Sequence, residues 1–408
     1  MEVIYLIVLS MITIGVSFCY LPFLILCIEV LALSFIVMFY KRQYLIFMLL
    51  ILCTFLYRLD NNLHRKELHI GDVVRLEGVI NNGIGRIKKI DEKMPIKNLF
   101  FSTNGVRDGE VEITGEILSI KKWGRSKKYD IMPEIVDEKE RIMKNYFVNK
   151  IDEISESYSV DFRNILRGII LGDGDFIDFD LKNKFKYTGS AHLLVISGLH
   201  LGVIISFVYI VLKKLKIKKE VRGIVTLGIL SFYVLTIGIT PSILRAYIMG
   251  IIFVLGDVIY EKGDVRKSFG IAFILSVFLY PGWLYNVSFL MSYVAVFAII
   301  FIYPKIPKIK EKNWKGDILN NISLILVIQV CMSPIFIIYF SSLPLFAFLS
   351  NLVLIPIGSL FIVLSFVTLL LSNINLHWLI SPFTYFIYTL FIESMEIISK
   401  IPYLTLEI

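Results

Sequence analysis

The chain has little cysteine, and none of it lies where a disulfide would stabilise a folded domain. Its 408 residues include four cysteines, all within apolar stretches: Cys19, Cys27, Cys53 and Cys331. The segment between residues 60 and 190 has none, so no disulfide can crosslink it. No spacing of cysteine and histidine fits a zinc site, and no HxHxDH-like cluster occurs. We therefore expect neither a bound metal nor any other cofactor.

Charge is also scarce. Charged residues make up 19% of the chain and hydrophobic residues 56%, and the mean hydropathy is +0.74. A soluble chain must cover its surface with polar groups, so these values argue against a soluble globular protein. The chain contains no GxxxxGK[ST] loop and therefore no nucleotide-driven motor of that kind. Glu2 stands where a signal peptide would be basic and no small-x-small cleavage site follows, so the first apolar run is expected to remain as an anchor.

Long apolar runs are absent from the middle of the chain and frequent on both sides of it. About eleven runs are long enough to cross a hydrocarbon core of ~30 Å: three before residue 60 and about eight after residue 190. The sequence therefore predicts a polytopic α-helical membrane protein with a polar domain inserted between its helices.

Lysine and arginine are unevenly distributed among the connections between apolar runs. Connections around residues 238–242, 280–286 and 341–344 contain neither, whereas the alternate connections are basic: Lys41 and Arg42, residues 213–222, residues 262–267 and residues 305–315. Positive connections stay in the cytoplasm. This pattern places the N-terminus inside and residues 60–189 outside. The net charge of +8 then reflects membrane topology rather than nucleic-acid binding by the whole chain.

The inserted segment, residues 60–145, has the alternation and turn residues of a small β domain. About five short strands favour a barrel, and an OB-like barrel agrees with that number. Cations surround an indole in one stretch of this segment: Lys121, Lys122, Trp123, Arg125, Lys127 and Lys128. Proteins that bind single strands use cations for phosphates and an aromatic ring for a base. The alternative is a solvated hairpin tip.

Residues 146–190 are amphipathic and charged, and they predict short helices at the outer membrane surface. A Gly-Asp-Gly-Asp sequence ends one of these helices. Asp173 and Asp175 there are candidate ligands for a divalent ion, although two carboxylates on a glycine-rich turn more often mark a helix stop.

Two histidines and a Ser-Gly pair interrupt the apolar segment 191–200. Hydrocarbon penalises unpaired polar groups and helix breaks, so such a cluster normally lines a cavity, a pore or an interface. Ser197 and Gly198 predict two half-helices whose ends expose backbone N–H groups. His192 and His200 then bind phosphates or water, or they bond carbonyls freed at the break.

These residues resemble a known family. Residues 168–173 and 185–202, with the sequence AHLLVISGLH at their centre, are similar to the signature of the ComEC family of competence channels. Similar stretches follow in order at residues 241–249, 286–296 and 351–356. The resemblance implies a channel domain over residues 191–408, preceded by N-terminal membrane helices at residues 1–59, the β domain and the interfacial helices.

The resemblance implies a channel that carries single-stranded DNA into the cytoplasm across the bacterial inner membrane during natural transformation, and no enzymatic activity. Many family members carry a metallo-β-lactamase-like domain after the last helix, and this sequence shows no such metal cluster. A separate nuclease, an external DNA receptor and a cytoplasmic motor are therefore expected as partners, beside DNA and lipid. A pore within one subunit and a pore between two copies in a homodimer both remain open.

Further polar residues in the resembling stretches are candidates for the DNA pathway: Arg245, Asn286, Ser292 and Asn351, in addition to His192, Ser197, Gly198 and His200. Arg245 either contacts phosphate or pairs with a carboxylate such as Asp173 or Asp175. The serine and the asparagines either line a polar path or bond helix to helix. Two other functions fit part of this pattern: a secondary transporter for a small solute, and an intramembrane hydrolase that uses Ser197 with a histidine.

Overall fold

A computed structural model describes most of the chain. The described residues are 2–18, 52–56, 59, 63–64, 68–81, 84–91, 93–95, 99–102, 109–123, 126–138, 142–194, 196–258, 264–309, 314–402 and 404–407. The predicted apolar run between residues 19 and 51, with Cys19 and Cys27, lies outside them. Two compact units are present, one made of residues 1–141 and 270–286 and the other of residues 142–269 and 287–408.

The first unit contains helix α1, Glu2–Phe18, and a closed β-barrel. The strands in chain order are β1 Leu63–His64, β2 Val73–Asn81, β3 Ile84–Ile90, β4 Met94–Pro95, β5 Leu99–Ser102, β6 Gly109–Trp123 and β7 Ser126–Glu138. Five of them close in the order β2-β3-β5-β7-β6, with β6 paired back to β2. Only the β5 and β7 pair within this barrel is parallel.

Alternation along the strands builds the barrel interior. Val74, Leu76 and Ile80 of β2 are buried, whereas Arg75 between them is exposed. The same period on β6 buries Val111, Ile113 and Ile117. Successive side chains of a strand point to opposite faces, so one face of each strand fills the core. The predicted domain boundaries at residues 60 and 145 remain predictions.

The second unit is helical. Short helices come first: α2 Ile142–Ser155, α3 Val160–Leu171 and α4 Phe179–Tyr187. The remaining α-helices of the chain are α5 Gly198–Lys214, α6 Lys219–Ile237, α7 Pro241–Val258, α8 Val265–Leu279, α9 Val287–Phe297, α10 Trp314–Ile335, α11 Ala347–Ser372 and α12 Ser381–Ser399. Helix α8 begins in this unit and ends in the first.

Helix α3 stops at the glycine-rich turn where its sequence predicts an end. The Ser159 hydroxyl accepts the N–H of Phe162 at 3.2 Å and caps the first turn. Gly172 adopts φ 78°, its N–H donates to the Gly168 carbonyl, and the Asp173 N–H donates to the Arg167 carbonyl, which ends the helix. A left-handed residue after a helix suits glycine because it has no Cβ.

Four helical segments among the described residues are long and apolar enough to cross a membrane: 219–237, 287–305, 315–340 and 347–372. Helix α7 is apolar and shorter. The protein is therefore a mostly helical membrane protein, and the predicted number of about eleven spans remains a prediction. Two of the long segments contain π-helix, at Ala298–Ile302 and at Phe336–Phe340 just after Pro334.

The core of the second unit joins the short helices to the apolar ones. Phe162, Phe361 and Phe391 are completely buried in one cluster that also includes residues of α5 and α6. A short ladder adds to this packing, because β8, Ser342–Pro344, pairs antiparallel with β9, Thr405–Glu407. Backbone bonds of β9 therefore hold the segment that enters α11 next to the segment that leaves α12.

Candidate functional site

The helical backbone is interrupted at Ser197, where the sequence predicts a break. Ala191–Leu193 form a single 3₁₀ turn, Ser197 is extended at φ −131° and ψ 174°, and α5 starts at Gly198. The sequence predicts two half-helices, and the one before the break is absent from the described residues. A single 3₁₀ turn of three residues stands in its place. Gly189, at φ 70°, lies just before it, and the preceding helix α4 ends at Tyr187.

Ser197 and His200 cap the helix that begins after the break. The Ser197 N–H donates to His200 Nδ1 at 3.2 Å, and the Ser197 hydroxyl lies 2.9 Å from the same nitrogen. The hydroxyl also accepts the N–H of Leu199 at 3.2 Å. Because Nδ1 accepts an N–H, a neutral ring carries its proton on Nε2. Nε2 is buried and makes no hydrogen bond, although the backbone of Leu193 approaches the ring.

Arg245 of α7 lies directly against this cap. Its side chain is 7% exposed, and its Nη1 donates to the carbonyl of Ser292 on α9. A Cβ on Gly198 would approach Arg245 Nη2 to 2.3 Å, so a glycine at the first position of α5 makes room for the guanidinium. Two predicted residues that are distant in sequence thus meet at one point, and no carboxylate pairs with Arg245 in the described part of the chain.

The other predicted pathway residues have different surroundings. His192 is exposed in the 3₁₀ turn, and Asn286 belongs to the first compact unit. Ser292 and Asn351 are 9% and 8% exposed in the helical unit, and Ser292 Oγ and Asn351 Oδ1 have no hydrogen-bond partner. Among the described residues, therefore, neither Ser292 Oγ nor Asn351 Oδ1 forms the hydrogen bond between helices that was one of the two predicted roles.

Three further residues in the described part of the chain have a buried side-chain oxygen without a partner and were not singled out from the sequence. Ser350 and Ser365 of α11 and Gln329 of α10 each have a side-chain oxygen without a partner. The Gln329 amide nitrogen donates to the carbonyls of Pro344 and Leu345, which leaves its oxygen free. A glutamine inside an apolar span is a visible signal, whereas isolated serines in apolar helices are too common to be one.

The acidic turn after α3 holds a lysine. The Lys144 ammonium contacts the Asp173 carboxylate, and both side chains are largely buried. An ammonium at that carboxylate competes with a metal ion. No group of metal-ligating side chains occurs among the described residues. The side chain of Asp175 lies outside them.

The predicted DNA contact of the β domain is the tip of the β6–β7 hairpin. Lys122 pairs with Lys127 and Lys121 with Lys128 across the two strands. Lys121 forms a salt bridge with Asp130 at 2.7 Å, whereas Lys122 and Lys127 are exposed. Arg125 and the side chain of Trp123 lie outside the described residues. The cross-strand pairing therefore brings the predicted lysines together.

Comparison with known proteins bears on the helical unit. Residues 169–408 match the sequence model of a family described as Competence protein, and this match covers more than half of the chain. The chain belongs to the competence protein family. Every residue of the Arg245 and Ser197 cluster lies inside this competence segment.

Two relatives align with parts of the chain. ComE operon protein 3 of Bacillus subtilis (strain 168) is 24% identical over 196 residues, which is 48% of this chain and 25% of the relative. An uncharacterized protein of Aquifex aeolicus (strain VF5) is 29% identical over 125 residues, which is 30% of this chain and 29% of the relative. The aligned parts thus span less than a third of either relative. No solved structure matches the chain.

Proposed function

We propose that this competence protein conducts single-stranded DNA across the bacterial inner membrane into the cytoplasm during natural transformation. The observation that carries the proposal is a set of buried side-chain atoms in the described part of the competence segment that have no hydrogen-bond partner: His200 Nε2, Arg222 Nε, Arg245 Nε, Ser292 Oγ, Gln329 Oε1, Ser350 Oγ, Asn351 Oδ1, Ser365 Oγ and His377 Nδ1. Family membership supports competence as the process.

Energetics make these atoms informative. A buried polar group without a hydrogen bond costs about 1–3 kcal/mol, and more if it is charged. Stability alone would favour apolar side chains at these positions. Hydration or a polar solute passing through the bundle satisfies such atoms during function, as expected for a conduit.

The barrel supports a DNA substrate independently. If β2, β3, β5, β6 and β7 are numbered 1 to 5, the barrel closes in the order 1-2-3-5-4 and its third and fifth strands are parallel. This arrangement supports the interpretation as an OB-like barrel. Its hairpin tip places Lys122 opposite Lys127 and Lys121 opposite Lys128 across the two strands, and Lys121 also contacts Asp130. We place this barrel outside the membrane, where it receives the strand from an external receptor. A separate nuclease and a cytoplasmic motor supply degradation and energy.

A hydrolase is the second candidate, because the Ser197 hydroxyl and His200 Nδ1 are 2.9 Å apart. The geometry favours a cap over catalysis. The same Nδ1 accepts the Ser197 N–H, and the other ring nitrogen has no carboxylate to orient it among the described residues. Labelling with a fluorophosphonate decides the point, since an activated serine would react and Ser197→Ala would abolish the reaction.

The test of conduction is uptake of labelled DNA by a transformable bacterium in which this gene replaces the resident one. We expect DNA in the cytoplasm with the gene and DNA arrested outside the membrane without it. DNA entry that is equal in the presence and absence of the gene would contradict the proposal.

Matched variants on α11 sharpen that test. Ser350→Ala and Asn351→Leu remove buried polar atoms without partners, so we expect reduced uptake with unchanged or higher thermal stability. Ser372→Ala removes a buried hydroxyl that donates to the Leu369 carbonyl at 2.7 Å. This control should lower stability by about 0.5–1.5 kcal/mol and leave the uptake per folded molecule unchanged.

A further inference from the structure

The contact between Arg245 and the start of α5 places two positive features together. The guanidinium Nη2 lies against Gly198, the first residue of a 17-residue helix. A helix N-terminus carries about half a positive charge and N–H groups without intrahelical acceptors. An arginine near this end is repelled by it, whereas an anion there would be attracted by both.

The arginine has no negative partner in the described part of the competence segment. Asp173 is engaged by Lys144, Asp152 by Arg163 and Arg167, and Glu396 by Lys184. Among the described residues, Arg245 makes one hydrogen bond, from Nη1 to the Ser292 carbonyl, and its guanidinium lies over the Tyr293 ring at 5.9 Å. A buried charge without a counter-charge is strongly unfavourable. An anion at this point would supply a counter-charge that the described residues do not provide to Arg245.

Donors at this point remain unused. Arg245 Nε is buried without a partner, and Nη2 makes no hydrogen bond in the described structure. Ser292, which accepts from Nη1 through its carbonyl, has a buried hydroxyl that is also unpartnered. A guanidinium offers five N–H donors in a planar fork that matches an oxyanion. An oxyanion is thus the ligand class that these groups fit.

We propose that Arg245, the Ser292 hydroxyl and the N-terminus of α5 at Gly198 form an oxyanion site that holds a backbone phosphodiester of the passing strand. The identity of the ligand rests on the proposed conduction of DNA, whereas the anion site rests on the geometry alone. Gly198 belongs to the site because a side chain at this position would displace the guanidinium.

The first arm of the test contains no DNA. Full-length protein in phosphatidylcholine nanodiscs is unfolded thermally in inorganic phosphate and in sodium chloride of equal ionic strength. We expect phosphate to raise the unfolding midpoint by several degrees for the wild type and for Arg245→Lys, and not for Arg245→Gln. Absence of the shift in the wild type, or the same shift in Arg245→Gln, would overturn the proposal.

Two glycines of α5 provide a matched pair of variants in case Arg245→Gln does not fold. A Cβ at Gly198 meets Arg245 at 2.3 Å, whereas a Cβ at Gly202 has nothing within 4 Å. Gly198→Ala should lose most of the phosphate shift, and Gly202→Ala should keep it. Equal shifts in both variants would show that the arginine does not hold the anion there.

The second arm identifies the ligand with a single-stranded oligothymidine and its uncharged methylphosphonate analogue. We expect Arg245→Gln to weaken binding of the charged oligonucleotide about tenfold and to lower its salt slope by about 0.7, the value for one lost contact to a single strand. Binding of the analogue should not change with the variant. If phosphate raises the unfolding midpoint but the oligonucleotide does not bind, the anion site stands and the phosphodiester is excluded as its ligand. The uptake assay tests conduction separately.

Discussion

Asp130 organises the base of the β6–β7 hairpin. Its carboxylate accepts hydrogen bonds from the Lys121 ammonium at 2.7 Å and from the hydroxyls of Ser102 and Ser119. These bonds, with that of Lys121 the strongest, hold the pKa of Asp130 below its ordinary value. One of the predicted DNA-binding lysines is thus already engaged within the barrel.

Removal of this carboxylate should loosen the hairpin. Asp130→Ala is expected to cost about 1.5–3 kcal/mol, because it removes hydrogen bonds to an ionised acceptor and leaves two hydroxyls unpaired. Lys121→Met should cost less than about 1 kcal/mol, since the lysine is largely exposed. Hydrogen exchange of β6 and β7 measures both changes. Lys122→Met is the control, and an equal loss of protection in that variant would contradict the role of Asp130.

The same carboxylate makes the hairpin sensitive to acid. A folded-state pKa below the unfolded value of 3.8 means that the unfolded chain binds a proton first as the pH falls. The contribution of Asp130 is therefore complete above about pH 4–5 and is lost as the pH falls from there toward the folded-state pKa. Hydrogen exchange of wild type and Asp130→Ala, corrected for intrinsic rates, should converge on acidification. A constant difference down to pH 2.5 would be inconsistent with this linkage.

At the scale of elements, the tip of the β6–β7 hairpin places two exposed lysines opposite each other. Lys122 and Lys127 are directly cross-strand neighbours, and like charges in such pairs are destabilising. A bound polyanion would relieve that repulsion. The hairpin thus resembles the α5 cap in one respect, because both arrangements bring two positive features close together.

Lys122→Glu should separate stability from binding. An opposite-charge pair with Lys127 is expected to stabilise the hairpin by about 0.2–1 kcal/mol relative to the lysine pair. The same change should weaken binding of single-stranded DNA and lower its salt slope by at least about 0.7. Fluorescence titration and hydrogen exchange measure the two effects. Lys93→Glu, between β3 and β4, controls for net charge, and equal weakening by both variants would refute a specific role of the tip.

Local signals explain which elements could be predicted. Alternation along β2 and β6, the glycine that ends α3 and the break at Ser197 and Gly198 each depend on a few neighbouring residues, and the sequence predicts all three. The contact of Arg245 with Gly198 and the pairing of Lys144 with Asp173 depend on how distant helices pack. Sequence patterns carry no information on such distances. The residues of the site could therefore be predicted, whereas the contacts between them could not.

On the scale of the whole molecule, the basic connections predict that residues 60–189 face outward and residues 213–222 face the cytoplasm. In a variant whose native cysteines are replaced, Ser126→Cys should react with an impermeant maleimide added to intact cells. Lys218→Cys, which is exposed on the opposite side in this topology, should react only after the cells are opened. Labelling of Lys218→Cys but not of Ser126→Cys in intact cells would reverse the topology.

The ladder between β8 and β9 has a mechanical consequence for the last two helices. It closes the open end of the α11–α12 pair, while the chain connects the other end between Ser372 and Ser381. A force on either helix is therefore transmitted to the other at both ends. We expect the two helices to move as one rigid unit. Spin labels on α11 and α12 should therefore keep a constant separation when single-stranded DNA, the proposed substrate, is added. A separation that changes when DNA is added would mean that the hydrogen bonds between β8 and β9 break.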